Sequence, residues 1–141
     1  MTRQAVVDSC VCAKWLIKEE HSGEAIGLLS SNLELVAPDI VLTEVANVLW
    51  KTVKRGLLTA EQATARLKDL PSFFSRLLPA FDLVPGALAL AKAVDLPIYD
   101  CVYVVASRRT GASLVTADNK IIAKLAGMSD HGNVIHIGDW K

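Results

Sequence analysis

The chain has 141 residues, 15 basic and 15 acidic side chains, and no formal net charge. With 52% apolar and 21% charged residues it has the composition of a folded chain of one-domain length, not of a disordered one. Neutrality excludes an overall cationic nucleic-acid binder, so a polyanionic partner would have to be held by a local patch or by metal ions.

Ala5-Val6-Val7 is a short β-branched run suited to a buried strand, and Ser9 to Ile17 reads as a helix. A second helix is predicted over Ser22 to Ser31 and a second strand over Leu33 to Ala37. Pro38 is expected to open a long helix, since proline is tolerated in a first turn, and Gly56 to close it after Lys54 and Arg55. Thr59-x-x-Gln62 is a capping box that starts the next helix. Phe81 to Val84 is predicted as the third strand, with Pro85 opening a helix through about Val94. Ile98 to Arg109 reads as a helix closed at Gly111, and Ala112 to Thr116 as the fourth strand. Asn119 to Ala126 is the last predicted helix and Asn133 to Ile137 the fifth strand.

Short apolar strands alternating with helices imply βαβ units, a parallel sheet covered on both faces, and right-handed crossovers. No linker or repeat interrupts the pattern, so a single domain over 1–141 is expected. No apolar run is long enough to span a bilayer, and Asp8 and Lys14 break the first apolar stretch before it could serve as a secretion signal. The cytoplasm is the expected compartment. Cys10, Cys12 and Cys101 are an odd number and are expected to pack as small hydrophobes. Cys10-x-Cys12 is too tight for a usual structural zinc site, and His131 and His136 lie far down the chain.

Four carboxylates stand out. Asp8 follows the first strand and Asp118 the fourth. Asp100 is the lone charge in Pro97–Ala106, an otherwise apolar or aromatic run. Glu44 lies on the helix after the second strand, on a stripe with Ile40, Asn47, Lys51 and Arg55 opposite an apolar face. Taken singly, the aspartates read as helix caps and Glu44 as part of a solvated stripe. Taken together, they gather at the carboxyl edge of the sheet, where open α/β folds bind ligands. Several ionised carboxylates at one edge repel unless some stay protonated or a divalent cation neutralises them. Oxygen donors without histidine or thiolate suit Mg2+ or Mn2+, and such sites support phosphoryl transfer. Phosphate-binding glycine loops and a nucleophile elbow are absent from the sequence, and none of the three histidines falls beside a cysteine.

At these residues the chain resembles the PIN-domain family, and more narrowly its VapC toxins. The matching segments are Val6-Val-Asp8-Ser-x-Val11-x-x-Lys14-Trp15-Leu, Ala37-Pro-Asp-x-x-x-x-Glu44-Val-Ala-Asn-Val-Leu49, Tyr99-Asp100-x-x-Tyr103-x-x-Ala106 and Leu114-Val-Thr-Ala-Asp118. Together they span nearly the whole chain. The resemblance implies a three-layer α/β/α fold with a parallel sheet of about five strands. It implies a Mg2+- or Mn2+-dependent endoribonuclease, the toxin of a toxin–antitoxin pair. Asp8, Glu44, Asp100 and Asp118 match the family's acidic quartet. Asp8 and Asp100 would be the firmest metal ligands, Asp118 a direct or water-mediated one, and Glu44 would position a metal-bound water or a second metal. Ser9, Asn47 and Thr116 would hydrogen-bond these ligands from outside. Some relatives carry a further acid shortly after the fourth position; here Asn119, Lys120 and Ile121 follow.

The resemblance also implies a homodimer and a cognate antitoxin, with Trp15 and Trp50 expected near the site as part of an apolar groove. Local positive charge for RNA would come from Lys14, Lys18, Lys51, Lys54, Arg55, Arg108, Arg109 and Lys120. Two other readings stay open: a non-catalytic PIN-like module that binds RNA or protein, and a small-molecule phosphatase using the same carboxylates.

Overall fold

The computed structural model describes residues 3–128 and 133–140. Five strands form one parallel sheet in the order β3-β2-β1-β4-β5. They are β1 (Gln4–Val7), β2 (Glu34–Pro38), β3 (Arg76–Leu78), β4 (Ser113–Thr116) and β5 (Val134–His136). Among the described residues seven α-helices join them: α1 (Ser9–Leu16), α2 (Ser22–Leu29), α3 (Ile40–Lys54), α4 (Ala60–Asp69), α5 (Ala80–Val94), α6 (Ile98–Thr110) and α7 (Asn119–Leu125). The central strands β1, β2 and β4 are buried almost end to end, which is why they are continuous apolar runs rather than alternating ones.

The chain adds β2 and β3 on one side of β1, then crosses back to add β4 and β5 on the other. Right-handed crossovers therefore put α1–α4 on one face and α5–α7 on the opposite face. The packing agrees, with α1 on α2 and α3, α3 on α4, and α5 on α6. Helix α6 contacts β1, β2 and β4 as well as α5, so it is buried all round from Cys101 to Ser107. Its uniformly apolar sequence follows from that position.

The predicted punctuation is present. Gly56 and Gly111 adopt φ of +76° and +67°, conformations that spare a Cβ clash only in glycine, just past the ends of α3 and α6. Thr59 and Gln62 form both bonds of the capping box on α4.

Two expectations are corrected. Phe81–Val84 is not a strand but part of α5, and the third strand is Arg76–Leu78. In α5 the buried residues are Leu83, Ala87, Leu90 and Val94, a helical spacing, while Phe81 and Val84 face solvent. Pro85 removes only the helical bond to the Phe81 carbonyl, on a face where water can take that oxygen. Pro38 does not open α3; it ends β2, opposite Leu78, where the ladder stops and a missing N–H costs nothing. The helix starts at Ile40, and the Asp39 carboxylate accepts the Ala80 N–H at 3.1 Å, tying the start of α5 to that turn.

Candidate active site

The strand order reverses between β1 and β4, and the carboxyl ends of those two strands flank the reversal point. Asp8 leaves the end of β1, with its N–H bonded to the Val115 carbonyl of β4. It occupies the cap position of α1, yet its side chain caps nothing. The buried carboxylate instead accepts the Thr116 hydroxyl at 2.7 Å and the Cys10 thiol at 3.2 Å, both at Oδ2. Thr116 is fully buried and also accepts the Asp118 N–H at 3.0 Å. One hydroxyl therefore locks the β1 and β4 ends together.

Asp118 does cap its helix: Oδ1 accepts the Lys120 N–H at 2.8 Å at the start of α7. Glu44, half-buried in the second turn of α3, accepts the Tyr103 hydroxyl at 2.7 Å. Asp100, half-buried in the first turn of α6, makes no side-chain hydrogen bond among the described residues.

These four groups feel one another. Burial, then the charges of Asp8, Asp118 and Glu44, push Asp100 up to about 6, with Lys120 opposing. Asp8 is raised by burial and further by Asp118, against the bonds from Thr116 and Cys10. Glu44 is raised by burial and by Asp8, while Tyr103 and Ser9 favour its ionised form. The edge therefore holds crowded, partly desolvated negative charge with little cationic relief. Among the described residues no three His, Cys, Asp or Glu side chains approach closely enough to make a ready-formed metal cage. The donor set nevertheless fits a hard dication: carboxylate and hydroxyl oxygens, with mutual repulsion that a cation would relieve.

The other expected residues divide. Thr116 bonds Asp8 directly, and Ser9 acts on Glu44. Asn47 is exposed and its side chain makes no hydrogen bond among the described residues. Cys12 and Cys101 are buried, but Cys10 is more than a small hydrophobe. Its sulfur donates to Asp8 and accepts the Ala117 N–H at 3.4 Å. Burial, reinforced by Asp8, pushes its thiol up to about 12, so it is a proton donor and not a nucleophile at neutral pH. His131 lies outside the described residues.

Trp15 is not part of the site. It packs edge-on against Phe73 with Phe74 beside it, and its Nε1 donates to the Ala25 carbonyl at 2.8 Å. Trp50, 56% exposed, borders an apolar crease of about 200 Å3 between α3 and α4, with Leu49, Val53, Ala63 and Leu67. Several expected cations are committed locally: Lys14 pairs with Glu19, Arg109 donates to the Asp82 carbonyl, and Lys54 lies over the Trp50 ring. Lys120 is the cation that bears on Asp100. A cavity of about 450 Å3 near Arg3, Asn32 and Trp140 opens at the amino edge of the sheet, away from all four carboxylates.

From sequence, Tyr103 enters only within a matching segment and Cys10 only as a packed thiol, with no role at the carboxylates assigned to either. A tyrosine in an otherwise apolar helix is a usable signal, because a buried phenol needs a partner. Which partner it takes, 59 positions away, depends on where the sheet places α3 and α6.

Residues 5–127 match the PIN domain family. The chain belongs to that family. Among curated proteins, this PIN domain is 34% identical to Ribonuclease VapC3 of Pyrobaculum aerophilum, over 87% of its own length and 95% of the relative's. It superposes on a crystal structure of a Pyrobaculum aerophilum protein with a TM-score of 0.70 and 24% identity, covering 98% of this chain and 93% of that one. It superposes on a toxin–antitoxin complex from Klebsiella pneumoniae with a TM-score of 0.67 and 16% identity, covering 95% and 98%. The expected α/β fold with a five-stranded parallel sheet flanked by helices is thus the observed one.

Proposed function

We propose that this PIN domain is a Mg2+- or Mn2+-dependent endoribonuclease, the toxin of a toxin–antitoxin pair. The observation that carries the reading is the set of four carboxylates at one sheet edge, three of them held above their ordinary range by burial and by one another. The 34% identity to a named ribonuclease supports the same chemistry.

Asp8 and Asp100 would be the main ligands, joined by Asp118, with Glu44 at the water side or at a second ion. A dication held there would activate water and neutralise charge on the phosphodiester. The protein's own residues prepare that chemistry. Thr116 and Cys10 hold Asp8 at Oδ2, and the Ser9 N–H also favours its carboxylate. The Lys120 N–H fixes Asp118 through Oδ1, leaving Oδ2. Asp100, without such a tether among the described residues, can swing to meet a cation or a phosphate-bound one. Thr116, Asp8 and Cys10 are buried or half-buried beneath the edge, so bulk water reaches the set from the outer side only.

An antitoxin would bind over the Trp50 crease, whose exposed indole and apolar floor suit an inserted helix or extended segment. Homodimerisation would use the stripe of Phe81, Val84 and Leu88 on the outer face of α5; Phe81 is 88% exposed.

The deciding experiment is cleavage of single-stranded RNA with Mg2+ or Mn2+. Activity should vanish in EDTA and fall at least about a hundredfold in Asp8→Asn, since these groups act on the reacting phosphate. Cleavage that survives either treatment overturns the reading. Metal binding without any RNA cleavage would favour a non-catalytic binding module.

A further inference from the structure

Glu44 carries a charge that its surroundings disfavour. Its side chain has three rotatable torsions, and burial and the Asp8 charge both disfavour its carboxylate. Left alone, it would turn outward to water. It does not: the Tyr103 hydroxyl grips Oε1 at 2.7 Å, and the Ser9 side chain also favours the carboxylate.

Tyr103 is suited to that task in three ways. Its ring is 1% exposed within the stretch of α6 buried on all sides, so the phenol oxygen has a fixed address. It lies three residues after Asp100, and residues three apart on a helix are surface neighbours. A single helix thus carries one carboxylate of the set and the donor that places another. It is also neutral. A lysine or arginine in its place would hold Glu44 equally well but would cancel the charge that a cation needs, whereas a phenol orients the carboxylate and leaves its charge intact.

From this geometry we infer that Tyr103 is a positioning residue for metal binding: its hydroxyl, bonded to Oε1, selects the Glu44 rotamer and so sets the spacing between Glu44 and Asp100. The inference rests on the metal-site reading above. It assigns Tyr103 no contact with substrate.

The test uses Mn2+ as the probe, with binding measured by titration calorimetry and by the electron paramagnetic resonance of free Mn2+. Tyr103→Phe keeps the ring and its packing and removes only the donor. It should weaken Mn2+ binding by about tenfold, the usual scale for losing a group that orients a ligand. In a Glu44→Gln background the same substitution should add almost nothing, because the residue it acts through is gone. Glu44→Asp keeps the charge but withdraws it by one methylene from the fixed phenol, and should match the loss in Tyr103→Phe. That variant keeps the test alive if Tyr103→Phe folds poorly.

Wild-type Mn2+ affinity in Tyr103→Phe, or a loss that persists undiminished beside Glu44→Gln, would overturn the assignment and reduce the bond to a link between α3 and α6. Asp8→Asn separates the two levels of the argument. If it weakens Mn2+ binding while Tyr103→Phe does not, only the Tyr103 assignment fails. If the wild-type protein binds no Mn2+, the metal-site reading fails and takes this assignment with it.

Discussion

The Thr116 hydroxyl donates to Asp8 Oδ2 at 2.7 Å across 108 positions of sequence, with both groups buried. The pair joins the ends of the two strands that flank the reversal of the sheet, so it serves stability and the site at once. Thr116→Val keeps the shape and deletes the donor. An underbonded buried carboxylate costs about 1–3 kcal/mol, which should appear as a lower urea midpoint with an unchanged m-value. Cys10 still donates to Asp8, so the loss should fall short of unfolding the protein.

The metal-free protein should lose stability as pH rises through the acidic range. Asp8, Glu44 and Asp100 all sit above their ordinary range in the fold, mainly through burial. The unfolded chain gives up these protons first, so ionising them in the fold is destabilising. For Asp100 the window runs from the ordinary value of 3.8 to about 6, above which its contribution is flat. Half-burial leaves solvent to screen the effect, so Asp100→Asn should flatten the curve by about 1 kcal/mol. Urea unfolding followed between those limits, with EDTA present, measures it. Stability that rises across the window would contradict this account.

The same substitution should therefore do two opposite things. Asp100→Asn removes repulsion and stabilises the metal-free fold, yet it should abolish Mn2+-dependent RNA cleavage. Thermal melting and cleavage assays on one sample will show whether the two effects part in this way.

Divalent cations should reverse the pH penalty. Mn2+ at about a hundred times its dissociation constant should add about 2.7 kcal/mol at neutral pH, seen as a higher melting temperature. Asp8→Asn should lose most of that shift. Little shift should appear below about pH 4, where protons hold the ligands.

Cys10 should resist alkylation. Its thiol, pushed up to about 12, is almost wholly protonated at mildly alkaline pH and is half-buried. Iodoacetamide labelling followed by mass spectrometry should be slow in the native protein and fast after unfolding. Cys10→Ser, which preserves donor and acceptor, should stay folded and active.

Far from the edge, Thr59→Ala removes the side-chain half of the α4 capping box, the bond that Thr59 Oγ1 accepts from the Gln62 N–H. About 1 kcal/mol of stability should be lost with RNA cleavage unchanged, because α4 carries none of the four carboxylates.

Much of this protein is legible along the chain because its signals are local. Buried parallel strands must be apolar throughout, as Ala5–Val7 and Leu114–Val115 are, and glycine at a left-handed helix end marks Gly56 and Gly111. Asp8, Asp100 and Asp118 stand out because a charge beside an apolar run needs a reason. Where a local signal was shared by two structures, reading failed: Phe81–Val84 is β-prone in composition but helical in its burial, and Pro38 serves a strand end as readily as a first helical turn. Tertiary packing alone decided the hydrogen bonds that give the site its shape. Thr116 meets Asp8 because β4 returns beside β1, and Tyr103 meets Glu44 because α3 and α6 reach one edge of the sheet from opposite faces. Propensity and patterning act over a few residues, whereas a hydrogen bond between groups 59 or 108 positions apart exists only once the chain has closed the loops between them.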